Sequence, residues 1–151
     1  MTEMSYREIR RFLKKGTFTG KLGTVDKHGN PHVVPIWFVL DVWARNDKIG
    51  DIYFTTGVDS TKGQNMERNN SVSLCVDDQE PPFSFVFLRG KAKIFPYKEK
   101  ETIRWATKIA ARYMGRKKAA IYGKTNGGEG AVLVRMKPEK IIAEKDIAIL
   151  D

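Results

Sequence analysis

Residues 55–65 read Thr-Thr-Gly-Val-Asp-Ser-Thr-Lys-Gly-Gln-Asn and mark a change from strand to helix. The apolar stretch Asp51 to Phe54 precedes them, and Ser, Thr and Asp are the residue types that cap helices. Free N–H groups and the positive dipole at a helix N-terminus attract an anion, and Lys62 adds a charge there. The segment predicts an anion cradle, although an ordinary helix cap beside a solvated lysine explains the same residues equally well.

The residue order in this segment differs from that of a nucleotide-binding loop. A Walker P-loop places Gly-Lys-Ser/Thr after four spacer residues, whereas the order here is Ser60-Thr61-Lys62-Gly63. A nucleoside triphosphate is therefore not predicted as the ligand.

Length and charge limit the class of protein. At 151 residues, without a Pro-, Gly- or Ser-rich linker, the chain is predicted to form one domain over residues 1–151. The net charge of +9 indicates an anionic partner: a nucleic acid, a membrane surface or a phosphorylated small molecule. Because the basic residues are dispersed and no nucleic-acid motif occurs, nucleic-acid binding is a minority interpretation. No apolar run approaches the roughly 20 residues of a membrane span, so a cytoplasmic protein without a membrane segment is expected.

The cysteine and the histidines give no metal or disulfide site. Cys75 is the single cysteine and lies in the apolar run Val72 to Val76, so it is expected to be a buried structural thiol. His28 and His32 have a spacing that converges on a metal only in a helix, and turn residues lie between them.

Apolar and β-branched stretches predict a sheet with few helices. Ser5 and Glu8 have capping-box spacing and begin a short helix ending near Gly16, and one long helix spans Lys98 to Met114. Six strands are predicted: Phe18 to Asp26, Pro31 to Asp41, Asp51 to Thr55, Val72 to Asp77, Ser84 to Phe95, and Gly130 to Met136 with Ile141 to Glu144, interrupted at Pro138. This composition favours a closed or nearly closed antiparallel β-barrel with peripheral helices, because closure removes exposed edges.

The order of the segments resembles that of the pyridoxamine 5'-phosphate oxidase-like family, the flavin or deazaflavin split β-barrels. The matching stretches are Leu22 to Asp26 with Gly29 to Phe38, Ile52 to Thr56 with Ser60 to Lys62 and Asn65, Asn70 to Asp78, and Phe85 to Ala92. They cover most of residues 18–95. The resemblance implies a mainly β fold, a six-stranded antiparallel split β-barrel, and a homodimer with two cofactor sites at its interface.

The resemblance also implies which residues bind the cofactor. Those expected along the isoalloxazine or deazaflavin edge are Val33, Val34, Pro35, Ile36 and Trp37, although barrel core is an alternative role for Trp37. Those expected around the phosphate are Thr55, Thr56, Ser60, Thr61 and Lys62. Asn65 is expected to orient Lys62 or the ribityl chain, and Gln79 and Phe83 to approach from the partner subunit.

The choice of cofactor depends on which branch of the family the chain resembles. The compact segment Ser60 to Asn65 is more similar to the branch that uses the deazaflavin coenzyme F420. The Arg-x-Val-Leu-Leu-Lys pattern of the vitamin B6 oxidases is absent, since residues 32–37 read His-Val-Val-Pro-Ile-Trp. The implied reaction is hydride transfer between F420 and a planar, unsaturated small-molecule substrate, with no side chain assigned as acid or base.

Three alternatives stay open. One is an FMN-binding oxidoreductase of the same fold. Another is a non-catalytic carrier of a flavin, a deazaflavin or a tetrapyrrole, since fold does not imply activity. The last is a basic β-barrel that binds nucleic acid.

Overall fold

Alternation of buried and exposed positions builds one antiparallel sheet in the described part of the chain. The computed structural model describes residues 2–42 and 48–149. Its strands are β1 Thr2–Glu3, β2 Gly20–Val25, β3 Pro31–Ile36, β4 Val39–Asp41, β5 Asp51–Gly57, β6 Ser71–Asp78, β7 Ser84–Ile94 and β8 Ala131–Lys145. Its helices are α1 Tyr6–Lys14, α2 Thr61–Arg68, α3 Glu99–Met114 and α4 Arg116–Gly127. None of these helices is long and apolar enough to cross a membrane.

The sheet curls into an open half-barrel. Its strand order is β3-β2-β6-β7-β8-β5-β4, with β1 paired to β8, and the pairs are antiparallel. The mainly β prediction is confirmed, but the described residues form eight strands rather than six. The expectation of a closed or nearly closed barrel is wrong, because β3 and β4 stand at opposite ends of the strand order.

The predicted single strand Pro31 to Asp41 is two strands separated by Trp37 and Phe38. β3 pairs with β2, whereas β4 pairs with β5 at the other end of the sheet. The Tyr113 hydroxyl accepts from the Phe38 N–H at 3.2 Å and donates to the Phe18 carbonyl at 2.8 Å. Arg112 Nη1 donates to the Phe38 carbonyl at 2.8 Å. The peptide groups of Phe38 therefore find partners on α3 instead of on a neighbouring strand.

Arg112 also ties the end of α1 to this break. Its Nη2 donates to the Leu13 carbonyl at 2.8 Å, and its Nε donates to the Gly16 carbonyl at 2.9 Å. Carbonyls at a helix C-terminus carry the negative end of the dipole and are a favourable place for a cation. Desolvation by burial lowers the pKa of Arg112. One side chain on α3 thus holds α1 and the β3–β4 break together.

Strand β8 continues through Pro138, where the sequence predicted an interruption. The register shifts between Arg89 and Gly90, so that Gly90 pairs with Pro138 and Arg89 pairs with Lys140. Such a bulge tolerates a proline, which has no N–H to donate to the ladder. A Cβ on Gly90 would lie 2.0 Å from the Lys137 carbonyl oxygen, so the close approach requires glycine.

Helix α4 was not predicted, because its sequence reads as a basic helix end followed by a loop with glycines. Those glycines face α3: a Cβ on Gly123 would lie 1.9 Å from Thr107 Oγ1, and one on Gly127 would lie 2.7 Å from Ile103 Cα. Glycine disfavours an isolated helix, but here it allows two helices to approach closely. Tertiary packing therefore overrides the local propensity.

Two hydrophobic clusters form the core. The larger fills the half-barrel interior and includes Leu22, Phe38, Phe54 and Leu74. The smaller joins α3 to the outer face of the sheet, the face turned away from the interior, and includes Val39, Trp105, Ile109 and Leu133. Together they fix α3 against the strands that border the cavity described below.

Cys75 is half-buried on the outer face and is not the buried thiol that was expected. Strand alternation turns Val72, Leu74 and Val76 into the interior and Cys75 outward. Partial burial raises the pKa of the Cys75 thiol, and the charge of Asp77 acts in the same direction.

Candidate functional site

A cavity of about 590 Å³ lies where β3, β5, α2, α3 and the α4–β8 connection meet. Its volume is in the range of small-molecule and cofactor sites. The predicted cofactor-binding residues that line it are Pro35, Ile36, Trp37, Thr55, Thr56, Ser60 and Lys62. The structure thus brings together the two predicted parts of the site, the β3 edge and the β5–α2 segment.

Ser60 shapes the turn at one end of the cavity. It is the N-cap of α2: its Oγ accepts from the Gly63 N–H at 3.0 Å and donates to the Gly57 carbonyl at 2.7 Å. Thr56 Oγ1 lies 3.0 Å from the same oxygen. The Ser60 hydroxyl is therefore engaged in holding the turn, and the predicted helix cap is present.

Gly63 brings the backbone of α2 close to the preceding turn. A Cβ at this position would lie 2.6 Å from the Gly57 carbonyl oxygen and 3.0 Å from Ser60 Oγ. A larger residue would push the first turn of α2 away from β5. Glycine thus sets the geometry of this end of the cavity, although Gly63 is not among the residues that line it.

The first amides of α2 are available to an anion. The Thr61 and Lys62 N–H groups donate to no other group among the described residues, as expected for the first turn of a helix. Lys62 is half-buried, lines the cavity and forms no ion pair within 4 Å in residues 2–42 and 48–149. Desolvation by burial lowers the pKa of Lys62. An uncompensated, partly desolvated ammonium beside free amides favours a bound anion.

Trp37 forms an aromatic wall of the cavity. Its ring stacks on Tyr113 with centroids 5.2 Å apart and planes 4° apart, and it lies 6.0 Å from the Tyr122 ring at 60°. Trp37 thus packs against α3 and α4 on one side and lines the cavity as well. Trp37 therefore packs on the outer face of the sheet and not in the half-barrel interior, and Tyr113 and Tyr122 support its ring.

Other predicted residues lie outside the cavity lining. Asn65 is 1% exposed and donates from Nδ2 to Thr24 Oγ1 at 3.0 Å inside the half-barrel, and among the described residues no hydrogen bond joins it to Lys62. Thr61 is exposed at the start of α2, and Val33 is 64% exposed on β3. The remaining residues outside the lining are Val34, Gln79 and Phe83.

Gln79 and Phe83 occupy a separate region. Gln79 borders a second depression of about 510 Å³ together with Lys15, Phe18 and Lys21. Phe83 is 40% exposed and has a left-handed backbone with φ of 63°. Within one chain neither residue reaches the cavity, so their proposed contribution needs a second subunit.

Residues from α3, from the end of α4, from the α4–β8 connection and from the first position of β8 complete the lining and were missed by the sequence analysis. They are Ala106, Ile109, Thr125, Asn126, Glu129, Gly130 and Ala131, joined by Gly57 and Asp59 of the β5–α2 turn. Only the last two lie in the segment that was singled out. The others are remote in sequence and carry no motif, so their placement depended on the packing of α4.

The sequence decides the family of this half-barrel. It matches pyridoxamine 5'-phosphate oxidase over residues 6–144. The chain belongs to this family. No curated protein matches the chain at a significant level.

Solved structures similar to this family member share its fold. A conserved hypothetical protein from Mycobacterium tuberculosis is 22% identical with a TM-score of 0.78, covering 98% of this chain and 90% of that one. A protein named F420 reductase is 23% identical with a TM-score of 0.65, covering 87% and 94%. A heme storage protein from Vibrio cholerae is 19% identical with a TM-score of 0.68, covering 93% and 96%. At these identities the likeness shows the pyridoxamine 5'-phosphate oxidase-like fold alone.

Proposed function

We propose that this protein is an oxidoreductase that binds F420 and transfers a hydride between it and a small planar, unsaturated substrate. FMN is the alternative cofactor in the same site. The observation that carries the proposal is one cavity with an anion cradle at one end and an apolar aromatic wall at the other. That pairing suits a molecule with a flat ring and a phosphate.

The cradle would hold the phosphate through backbone and charge. Ser60 Oγ already bonds within the turn, so the free donors on residues that line the cavity are the Lys62 amide, the Thr55 hydroxyl and the Lys62 ammonium, with the Thr61 amide beside them on the first turn of α2. A helix N-terminus with an adjacent cation is a common phosphate site. These residues fit a monoester phosphate or a phosphodiester equally well.

The wall would hold the ring. Pro35, Ile36 and Trp37 meet Ala106 and Ile109 of α3 across the cavity, which gives an apolar lining. Since β3 is an end strand of the sheet, one row of its backbone N–H and C=O groups has no ladder partner and can face a ring edge. Pro35 contributes no N–H to that row.

The bound cofactor would supply the hydride chemistry, and the protein supplies orientation and a site shielded from water. Trp37 fixes the position of the ring, because Tyr113 and Tyr122 hold its own side chain in place. Lys62 retains the phosphate end. F420 is preferred over FMN because the Ser60 to Asn65 segment resembles the F420-using branch and an F420 reductase shares the fold.

We propose that the protein acts as a homodimer. The outer face carries apolar residues on four strands: Val33 and Pro35 on β3, Cys75 on β6, Phe87 on β7 and Ile142 on β8. Phe87 pairs with both Cys75 and Ile142, whereas Lys21 of β2 lies between Cys75 and Pro35. Val33 is 64% exposed and Ile142 is 42% exposed. Exposed apolar side chains on β3 favour an interface there, and because Pro35 also lines the cavity, a partner seated on β3 would border the cofactor.

Equilibrium binding of F420 and of FMN tests the cofactor assignment. Lys62→Gln is expected to weaken F420 binding by about tenfold or more, because loss of one charge-assisted contact costs about 1.5–3 kcal/mol. The control is Lys117→Gln, which makes the same change of charge at an exposed position on α4, away from the cavity. Unchanged F420 binding in Lys62→Gln would refute the cradle, and FMN binding as tight as that of F420 would refute the cofactor choice. Binding without oxidation or reduction of any acceptor would favour a carrier.

Sedimentation tests the dimer. Val33→Glu would bury a charge in the proposed interface and is expected to produce monomers, whereas Ile121→Glu alters an equally exposed residue on α4 and should not. A wild-type protein that sediments as a monomer at micromolar concentration would disprove the assembly.

A further inference from the structure

Strand register gathers six basic residues into a ladder on the outer face of β7 and β8. Arg89 pairs with Lys140, Lys91 with Lys137, and Lys93 with Arg135. We call these six residues the cation ladder. Alternation points them to the same side, since Val86, Leu88 and Ala92 on β7 and Val134 and Met136 on β8 are buried in the interior.

Like charges on directly paired residues destabilise a sheet, so the cation ladder does not contribute to the stability of the fold. Directly opposite residues lie about 5 Å apart, and like charges at that separation destabilise a ladder. Arg89, Lys93 and Lys140 form no ion pair within 4 Å in the described part of the chain. Charge that the protein does not neutralise internally is available to a ligand.

The dimensions of the ladder fit a linear polyanion. Its rungs repeat about every 7 Å along the strands, so six cations span roughly 14 Å in two lines. Five of the six side chains are exposed, and Arg135 is half-buried. Lys137 borders a depression of about 200 Å³, and no exposed large apolar side chain belongs to the ladder in the described part of the chain, which disfavours insertion into lipid.

An aromatic ring lies at one end of the ladder. Lys93 Nζ lies 5.0 Å from the centre of the half-buried Phe95 ring, and Arg135 Cζ lies 5.6 Å from it. Cations beside an aromatic ring on a strand surface are the elements with which proteins bind the backbone and bases of single-stranded nucleic acid.

We propose that the cation ladder binds the phosphodiester backbone of single-stranded nucleic acid without reading its sequence. The ladder lies on β7 and β8 and shares no residue with the cavity, so this binding is separate from the proposed redox function. The basic residues are dispersed along the sequence, but strand pairing concentrates them on one surface.

Fluorescence anisotropy with a labelled 20-nucleotide oligo(dT), an oligo(U) and a mixed-sequence DNA duplex tests the proposal. Wild-type protein is expected to bind both single strands at low salt with micromolar affinity. The slope of log K against log salt concentration should be about −4 if six contacts form with a single strand. Arg89→Gln/Lys91→Gln/Lys93→Gln should weaken binding at least tenfold and reduce the slope by about 2.

A matched triple variant separates the ladder from net charge. Lys117→Gln/Lys118→Gln/Lys124→Gln removes the same charge from exposed positions on α4 and should weaken binding less than threefold. Thermal unfolding shows that the ladder variant is folded, and its Tm should equal or exceed that of wild type because repulsion is relieved. The proposal would be overturned if both triple variants weakened binding equally or if wild-type protein did not bind the single strands. It would also be overturned if the protein bound the duplex more tightly, or if it bound anionic vesicles in preference to oligonucleotides. If the ladder variant still binds F420, nucleic-acid binding by the cation ladder and cofactor binding in the cavity are independent of each other.

Discussion

Replacement of Arg112 is expected to destabilise the fold more than any exposed arginine would. Its guanidinium donates to carbonyls of Leu13, Lys15, Gly16 and Phe38. Lys15 and Gly16 are exposed, so their carbonyls can bond to water once the donor is gone. Leu13 and Phe38 are 0% exposed, and their carbonyls account for most of the loss.

The magnitude follows from the two buried carbonyls. The Leu13 carbonyl loses a charged donor, at a cost of about 1–3 kcal/mol. The Phe38 carbonyl then shares the single Tyr113 hydroxyl proton, 3.3 Å away, with the Phe18 carbonyl, and loses about 1 kcal/mol. The guanidinium also lies 4.8 Å from the Phe38 ring centre, which adds about 0.5–1 kcal/mol. Arg112→Met should therefore lower the free energy of unfolding by about 3 kcal/mol, or Tm by roughly 6–12 °C in a domain of this size.

Urea and thermal unfolding followed by circular dichroism measure this change. Arg112→Lys retains the charge but not the fork of donors, so its stability should lie between those of wild type and Arg112→Met. Arg116→Met is the control, because Arg116 is exposed at the start of α4. If Arg112→Met and Arg116→Met have the same stability within about 0.5 kcal/mol, the attachment of α1 and the β3–β4 break to α3 does not depend on this side chain.

Three further changes test the helix packing, the cap and the charge. Gly123→Ala places a Cβ 1.9 Å from Thr107 Oγ1 and should destabilise by about 1–3 kcal/mol in urea unfolding despite better helix propensity, whereas Lys124→Ala should not. Ser60→Ala removes the N-cap of α2 and should cost about 1 kcal/mol, and an unchanged unfolding midpoint would contradict the cap. Burial lowers the pKa of Lys62 from its ordinary 10.5, so phosphate-dependent binding should fall as pH rises through that lowered pKa. The folded state then binds fewer protons than the unfolded state, so the ligand-free protein should gain stability as pH rises through the same window, and Lys62→Gln should remove both dependences.

Features that depend on neighbours in sequence were predicted correctly. The capping box of Ser5 and Glu8 is present at α1, and Ser60 caps α2. Both involve residues within one turn of each other, so local propensity determines them. The turn from β5 to α2, which borders one end of the cavity, was predicted for the same reason.

Features that depend on distant partners could not be predicted from one sequence. The break at Phe38 depends on Tyr113, which is 75 residues away, and α4 depends on glycines that face α3. Ala106 and Asn126 line the cavity through that packing and have no motif of their own. The cation ladder likewise depends on the register between β7 and β8, which includes a bulge at Pro138. The sequence analysis treated Pro138 as an interruption of the strand, so it could not predict that register.

The two-residue link at Trp37 and Phe38 has a consequence for aggregation. It joins the two unpaired margins of the open sheet, β3 and β4, so both are held by one local set of contacts. Exposed strand margins are where foreign strands add. A fluctuation that frees Phe38 from α3 would release both margins together and leave the rest of the sheet paired. Misassembly under stress is then expected to start at this link, and a ligand seated against Trp37 would protect the protein there.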